Sequence, residues 1–135
     1  MDSRAALAAS FRVVRTLWLV EAVVAGAICL AVPVLLSRPA APGGAAGMFA
    51  RIFVAVAAVD LAVAWSIKQR ASKAGTRPVI MGASLVAVTL ALTPAVLAVA
   101  LYVGFGHVDG HRILSIMSLA GLWILQPRLD EWTVP

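Results

Sequence analysis

Four runs of apolar residues, 16–37, 48–67, 78–102 and 113–126, are separated by short polar or glycine-rich segments. No run alternates polar with apolar positions and alanine is abundant throughout, so membrane-spanning strands are excluded. Helices are predicted instead, over 5–36, 48–69, 78–103 and 110–126. At a rise of about 1.5 Å per residue, about 20 residues cross a hydrocarbon core. The first three runs are long enough. The fourth holds 14 residues between Arg112 and Pro127. It spans if Asp109 caps its start, Arg112 snorkels to the interface and the bilayer thins slightly. A re-entrant or interfacial segment is the alternative. Pro33 and Pro94 fall inside the first and third helices, where each is expected to leave a kink.

Composition strengthens this reading. Of 135 residues, 62% are hydrophobic and 13% charged, against about half and a quarter in ordinary water-soluble domains. The early arginines and following apolar residues raise a signal peptide, but that run reaches Leu36 and contains Glu21. A retained first helix is expected. Cys29 has no cysteine partner in the chain and is read as a small packing residue.

The net charge of +5 would suggest nucleic acid in a soluble protein, but its placement points to a membrane. Arg4, Arg12 and Arg15 precede the first apolar run, Lys68, Arg70, Lys73 and Arg77 follow the second, and Arg128 follows the fourth. Arg38, Arg51 and Arg112 stand at the opposite ends, a split of eight against three. The positive-inside rule then puts both termini in the cytoplasm. The basic second loop would face anionic lipid head groups. Trp18 and Trp65 mark the interface, the loop SRPAAPGGAAGM reads as a flexible external turn, and the tail QPRLDEWTVP is too short to fold alone.

Within the apolar runs, the polar residues are the candidates for chemistry. Asp60 sits in AVAAVDLAVAW, midway between Arg51 and Lys68, so no choice of helix ends brings it to the interface. A buried acid costs a few kcal/mol in lipid, so it must be protonated, paired, or facing a polar interior. Glu21 is about 9 Å beyond Arg15, and Asp60 about 12 Å short of Lys68, so the two acids can share one depth. Thr89 and Thr93, on a small-residue face with Gly82, Ala100 and Gly104, and Ser115 with Ser118 on the last helix, are candidates for a polar interior. His107, Asp109 and His111 are weak candidates for an external metal site. Gly110 and the glycines just before argue for a polar loop there, and both histidines are expected to be replaceable. No thiol pair, phosphate-binding glycine loop or plausible Ser/His/Asp set occurs, so no enzyme activity and no cofactor are expected.

LVEAVVAG, with Glu21, and FGHVDGHRILSIMSLAGLWIL resemble in kind the small multidrug resistance family, four-helix proton-coupled exporters that work as dimers and carry a glutamate in helix one. The long basic second loop, the second acid Asp60 and middle helices without an aromatic substrate box depart from that pattern. AVAAVDLAVAW is also similar to the proton-carrying helix of rotary ATPase c subunits, but the glycine-repeat helix that packs beside it there is absent. Neither family is assigned.

The chain is therefore expected to be all-α, an integral membrane protein whose residues 1–135 form one domain, a four-helix up-down transmembrane bundle of the inner (cytoplasmic) membrane. Its expected role is that of a non-catalytic small subunit, in contact with the lipid bilayer and either homo-oligomeric or docked on a larger membrane complex, with no nucleic-acid partner. The competing expectation is a proton- or cation-coupled transporter using Asp60 and Glu21.

Overall fold

The computed structural model describes residues 3–36, 44–74, 76–128 and 132, without the side chains of Ser3, Arg4, Ala74 and Arg77. Four helices account for nearly all of it: α1 Ser3–Leu36, α2 Ala45–Ala74, α3 Arg77–Phe105 and α4 Val108–Ile124. The first three are long and apolar enough to cross a membrane. At about 1.5 Å per residue the 17 residues of α4 measure roughly 25 Å, a little short of the ~30 Å hydrocarbon core. Arg38 and most of the first loop, Gly75, and the tail acids Asp130 and Glu131 lie outside the described residues.

Contacts between helix ends show that the chain reverses direction at each connection. At one end Val14 of α1, Ile80 of α3 and Trp132 form a buried cluster, and Lys68 of α2 reaches the carbonyls of Leu125 and Gln126 just past α4. At the other, Phe49 of α2 stacks on Phe105 of α3 with ring centroids 4.7 Å apart. α3 is the central element: 44% of its most apolar window is buried, against 11% in α1 and 17% in α2.

The interior is built from alanine. Ala25, Ala57, Ala64, Ala87, Ala91 and Ala95 are fully buried. Large aliphatic side chains such as Val23, Leu30, Val34 and Leu35 stand outside, each more than two-thirds exposed. In water that inversion would forfeit the main driving force of folding. In lipid the outer aliphatics are solvated, and small residues let helix backbones approach closely enough to gain dispersion contacts. Gly121 is one such point of approach, since a Cβ there would strike the Leu61 side chain of α2.

The turn from α3 to α4 is short and specified by its residues. Gly106 takes the left-handed conformation (φ 63°), and its amide and that of His107 return to the carbonyls of Tyr102 and Leu101. His107 then caps α4, its Nδ1 accepting the Gly110 amide at 2.9 Å. Gly110 has no room for a side chain, because a Cβ would meet Leu101, His107 Nδ1 at 2.8 Å and Ala50 at 3.2 Å.

Candidate functional site

Most of the buried polar side chains lie where α4 meets α1 and α3. Along α4, His111, Ser115 and Ser118 recur at the four- and three-residue spacing that keeps side chains on one helix face, and all three are buried. Ser118 Oγ donates to the Ala91 carbonyl of α3 at 2.8 Å. Trp18 of α1 donates its indole N–H to the Leu122 carbonyl at 2.8 Å. Each of these bonds ties a side chain of one helix to the backbone of another.

His111 is the most connected of them. Only 1% exposed, it places Nδ1 3.1 Å from the Ala98 carbonyl of α3 and Nε2 3.4 Å from the Cys29 carbonyl of α1. The second contact has a cause in the sequence. In a helix the Cys29 carbonyl would accept from the amide of residue 33, but that residue is Pro33, which has none. Ala98, by contrast, is four residues before Tyr102, inside a regular helix that supplies its amide partner. A neutral imidazole donates through one nitrogen, and the carbonyl that lacks a donor is that of Cys29. Tyr102, whose ring lies 5.2 Å from His111, directs its hydroxyl to the Pro33 carbonyl at 3.4 Å. The carbonyl that Pro33 orphans is therefore met by His111 of α4, while Tyr102 of α3 bonds the carbonyl of Pro33 itself, near the end of α1.

Among the described residues three buried side-chain polar atoms lack a hydrogen-bond partner: Oε2 of Glu21, which is 8% exposed, Oγ of Ser115, and Nε1 of Trp132. Glu21 lies on α1, whose principal neighbours are α3 and α4. It therefore shares the α1–α3–α4 junction with Ser115 and Ser118.

The other sequence candidates lie elsewhere. Asp60 is half-buried on the flank of α2 and makes no hydrogen bond or ion pair among the described residues. Ala57 clusters with Ala98, and Ala64 with Ala91 and Ala95, so Asp60 between them stands near the level of Pro94 on α3. Because α2 is packed mainly against α3, Asp60 and Glu21 belong to different seams. Thr89 is exposed and donates to its own helix at Leu85 (3.0 Å), and Thr93 is half-buried. The face of Gly82, Thr89, Ala100 and Gly104 points out of the bundle, because the stripe of Ala87, Ala91, Ala95 and Ala98 supplies the inner face of α3.

His107, Asp109 and His111 diverge. His107 turns to the Gly110 amide, His111 enters the core, and Asp109 is exposed beside Arg112, 3.8 Å away. The expected polar loop is the first turn of α4 together with its cap, and the histidines there serve different tasks. No group of three or more metal-ligating side chains occurs among the described residues.

Three contributors were not legible as such in the sequence. Lys68 reads as a loop cation, yet it is 7% exposed and its ammonium donates to the carbonyls of Gln126 at 2.7 Å and Leu125 at 3.3 Å. A cation at these last carbonyls complements the negative end of the α4 dipole. Tyr102 is the second. Trp132 is the third: it is 1% exposed and meets Phe11 edge-on at 5.9 Å, so it seals the end of the α1–α3 seam. Chemically, the arrangement ties helices together with side-chain-to-carbonyl bonds and keeps one carboxyl oxygen, Glu21 Oε2, buried without a donor among the described residues. No family model, curated protein or solved structure matches this chain.

Proposed function

We propose that this chain is a non-catalytic polytopic protein of the inner (cytoplasmic) membrane that self-associates or docks on a larger membrane complex. Its four helices cross up and down with both termini in the cytoplasm, the end bearing Arg12, Arg15, Arg70, Lys73 and Arg128 lying inside. The observation that carries the reading is the outward stripe of α3. Gly82 and Gly104 lie on it with nothing within 4 Å of a built Cβ, so the chain's own packing does not require glycine there. Small residues that meet nothing among the described residues of their own chain are what a neighbouring helix uses for close approach in lipid. The experiment replaces Gly82 and Gly104 with Leu and compares energy transfer between labelled copies in liposomes. Folding is expected to persist while association falls at least several-fold. Association equal to that of the parent protein would remove the stripe from the interface.

A second reading, proton- or cation-coupled transport, is favoured by one observation, the buried Glu21 carboxyl with its unpartnered Oε2. Asp60 offers less support, because it is half-buried on another seam. Glu21→Gln in proton-loaded liposomes tests this reading. Loss of pH-driven flux with unchanged thermal stability would support it, and flux equal to the parent's would end it.

A further inference from the structure

From the outer surface of α2 we infer a binding site for one two-chain anionic phospholipid. Two apolar grooves run side by side and share Ala62 as the ridge between them. One, of about 460 Å³, lies between α2 and α4 and is lined by Leu61, Trp65, Met117, Ala120 and Ile124. Its depth follows from Gly121, whose missing side chain lets Leu61 come against the α4 backbone. The other, of about 420 Å³, runs along α2 past Val59, Val63 and Ile67 to Arg70. Two parallel channels separated by a methyl group fit two acyl chains better than a single straight helix.

The head group is selected at the end where both grooves finish. Ser66 and Arg70 line the second groove one helical turn apart, so a hydroxyl and a guanidinium follow each other along the direction from glycerol ester to phosphate. Lys73 is exposed close by on the same helix, and Arg128 is exposed three residues beyond Leu125, which lines the first groove. Every charged side chain described near this end is basic, Glu21 being buried deeper on α1. Trp65 lies in the first groove one turn before Lys68, at the depth where an indole meets the ester layer.

The site requires the bundle to stand in a bilayer but not to self-associate, so flotation of the reconstituted protein with liposomes is the first step of the test. The protein carries Trp123→Phe, which removes the most exposed indole and leaves Trp65 as the most exposed one among the described residues, Trp18 being half-buried and Trp132 buried. Its quenching is titrated with brominated-chain phosphatidylglycerol and, separately, with brominated-chain phosphatidylcholine. The anionic phosphatidylglycerol is expected to associate about 5-fold more strongly at low salt, as for one basic side chain at the surface. The preference should shrink as salt is raised. Arg70→Gln should bring the two lipids within about 2-fold of each other. Ala120→Leu, which fills the α2–α4 groove, should reduce quenching by both while helix content stays unchanged. Equal association of the two lipids in the starting protein overturns the site, as does a preference that survives Arg70→Gln. Failure to float rejects the membrane reading and the site together. Shielding of Trp65 from both lipids, with disulfide trapping of a second copy through Ala62→Cys, assigns the face to protein and rejects the lipid.

Discussion

If His111 exists to satisfy the carbonyl that Pro33 leaves without a donor, the two positions must be energetically coupled. Replacing His111 with Ala removes a donated hydrogen bond to Cys29, worth about 0.6 kcal/mol on average and up to about 1.7 in membrane proteins. It also leaves a buried carbonyl unsatisfied, at about 1–3 kcal/mol. The tilted ring contact with Tyr102 is lost as well, at about 0.5–1.5 kcal/mol. These terms overlap, and the expected total is about 2–4 kcal/mol. Pro33→Ala restores an amide to position 33, which can donate to the Cys29 carbonyl within α1. In that background His111→Ala should cost about 1–2 kcal/mol less. The four proteins of this cycle are unfolded reversibly in mixed micelles by titration with a denaturing detergent, followed by circular dichroism. Additivity within about 0.5 kcal/mol would mean that the two sites do not share a bond, and would refute the argument.

Other outcomes follow from the same geometry. Lys68→Met should destabilise the bundle by about 2 kcal/mol, because two carbonyls past α4 lose a charge-assisted donor, and a change below about 0.5 kcal/mol in the same titration would place Lys68 in the loop after all. With Cys29 replaced by Ser, a cysteine near Lys73 should be protected from an impermeant reagent applied outside cells and one near Gly44 labelled; the reverse pattern would invert the topology drawn from the charges. Asp60→Asn should fold with a stability change of about 1 kcal/mol or less, since the carboxylate has no partner among the described residues to lose. Melting far outside that range would reveal a charge that the fold depends on.

The helices were legible because apolar run length is a one-dimensional property. Their expected extents of 5–36, 48–69, 78–103 and 110–126 differ from the observed Ser3–Leu36, Ala45–Ala74, Arg77–Phe105 and Val108–Ile124 mainly at the ends. At its basic end α2 continues past the expected limit through Ala74, and Lys68, read as a loop cation, lies within it and donates to Leu125 and Gln126. Which face of each helix points inward was less legible. On α3 a stripe of alanines and a stripe of glycine, threonine and alanine are both small enough to pack, and hydropathy does not separate them. The choice went to the alanines, with Ser118 of α4 bonding the Ala91 carbonyl in their midst.

The acids show the same limit from the other side. Depth along a helix follows from residue count, but azimuth depends on which helices become neighbours. α1 packs principally on α3 and α4, and α2 mainly on α3, so the two acids expected at one depth belong to separate seams. His111 illustrates what a local reading misses. Its role arises from Pro33, far away in sequence, through a rule as simple as the missing proline amide. The signal was present, since every proline inside a helix names a carbonyl four residues earlier that must find a donor elsewhere. Applied to Pro94, the rule names Leu90, whose carbonyl has no amide from position 94. Asp60, the half-buried acid near that level, makes no hydrogen bond among the described residues, so it does not supply that donor. Asp60→Leu, which keeps no polar group, should therefore match Asp60→Asn in stability to within about 0.5 kcal/mol. Both are compared in the same detergent titration. A Leu variant less stable than the Asn variant by about 1 kcal/mol or more would show that position 60 does bond a carbonyl of α3, and would refute this reading.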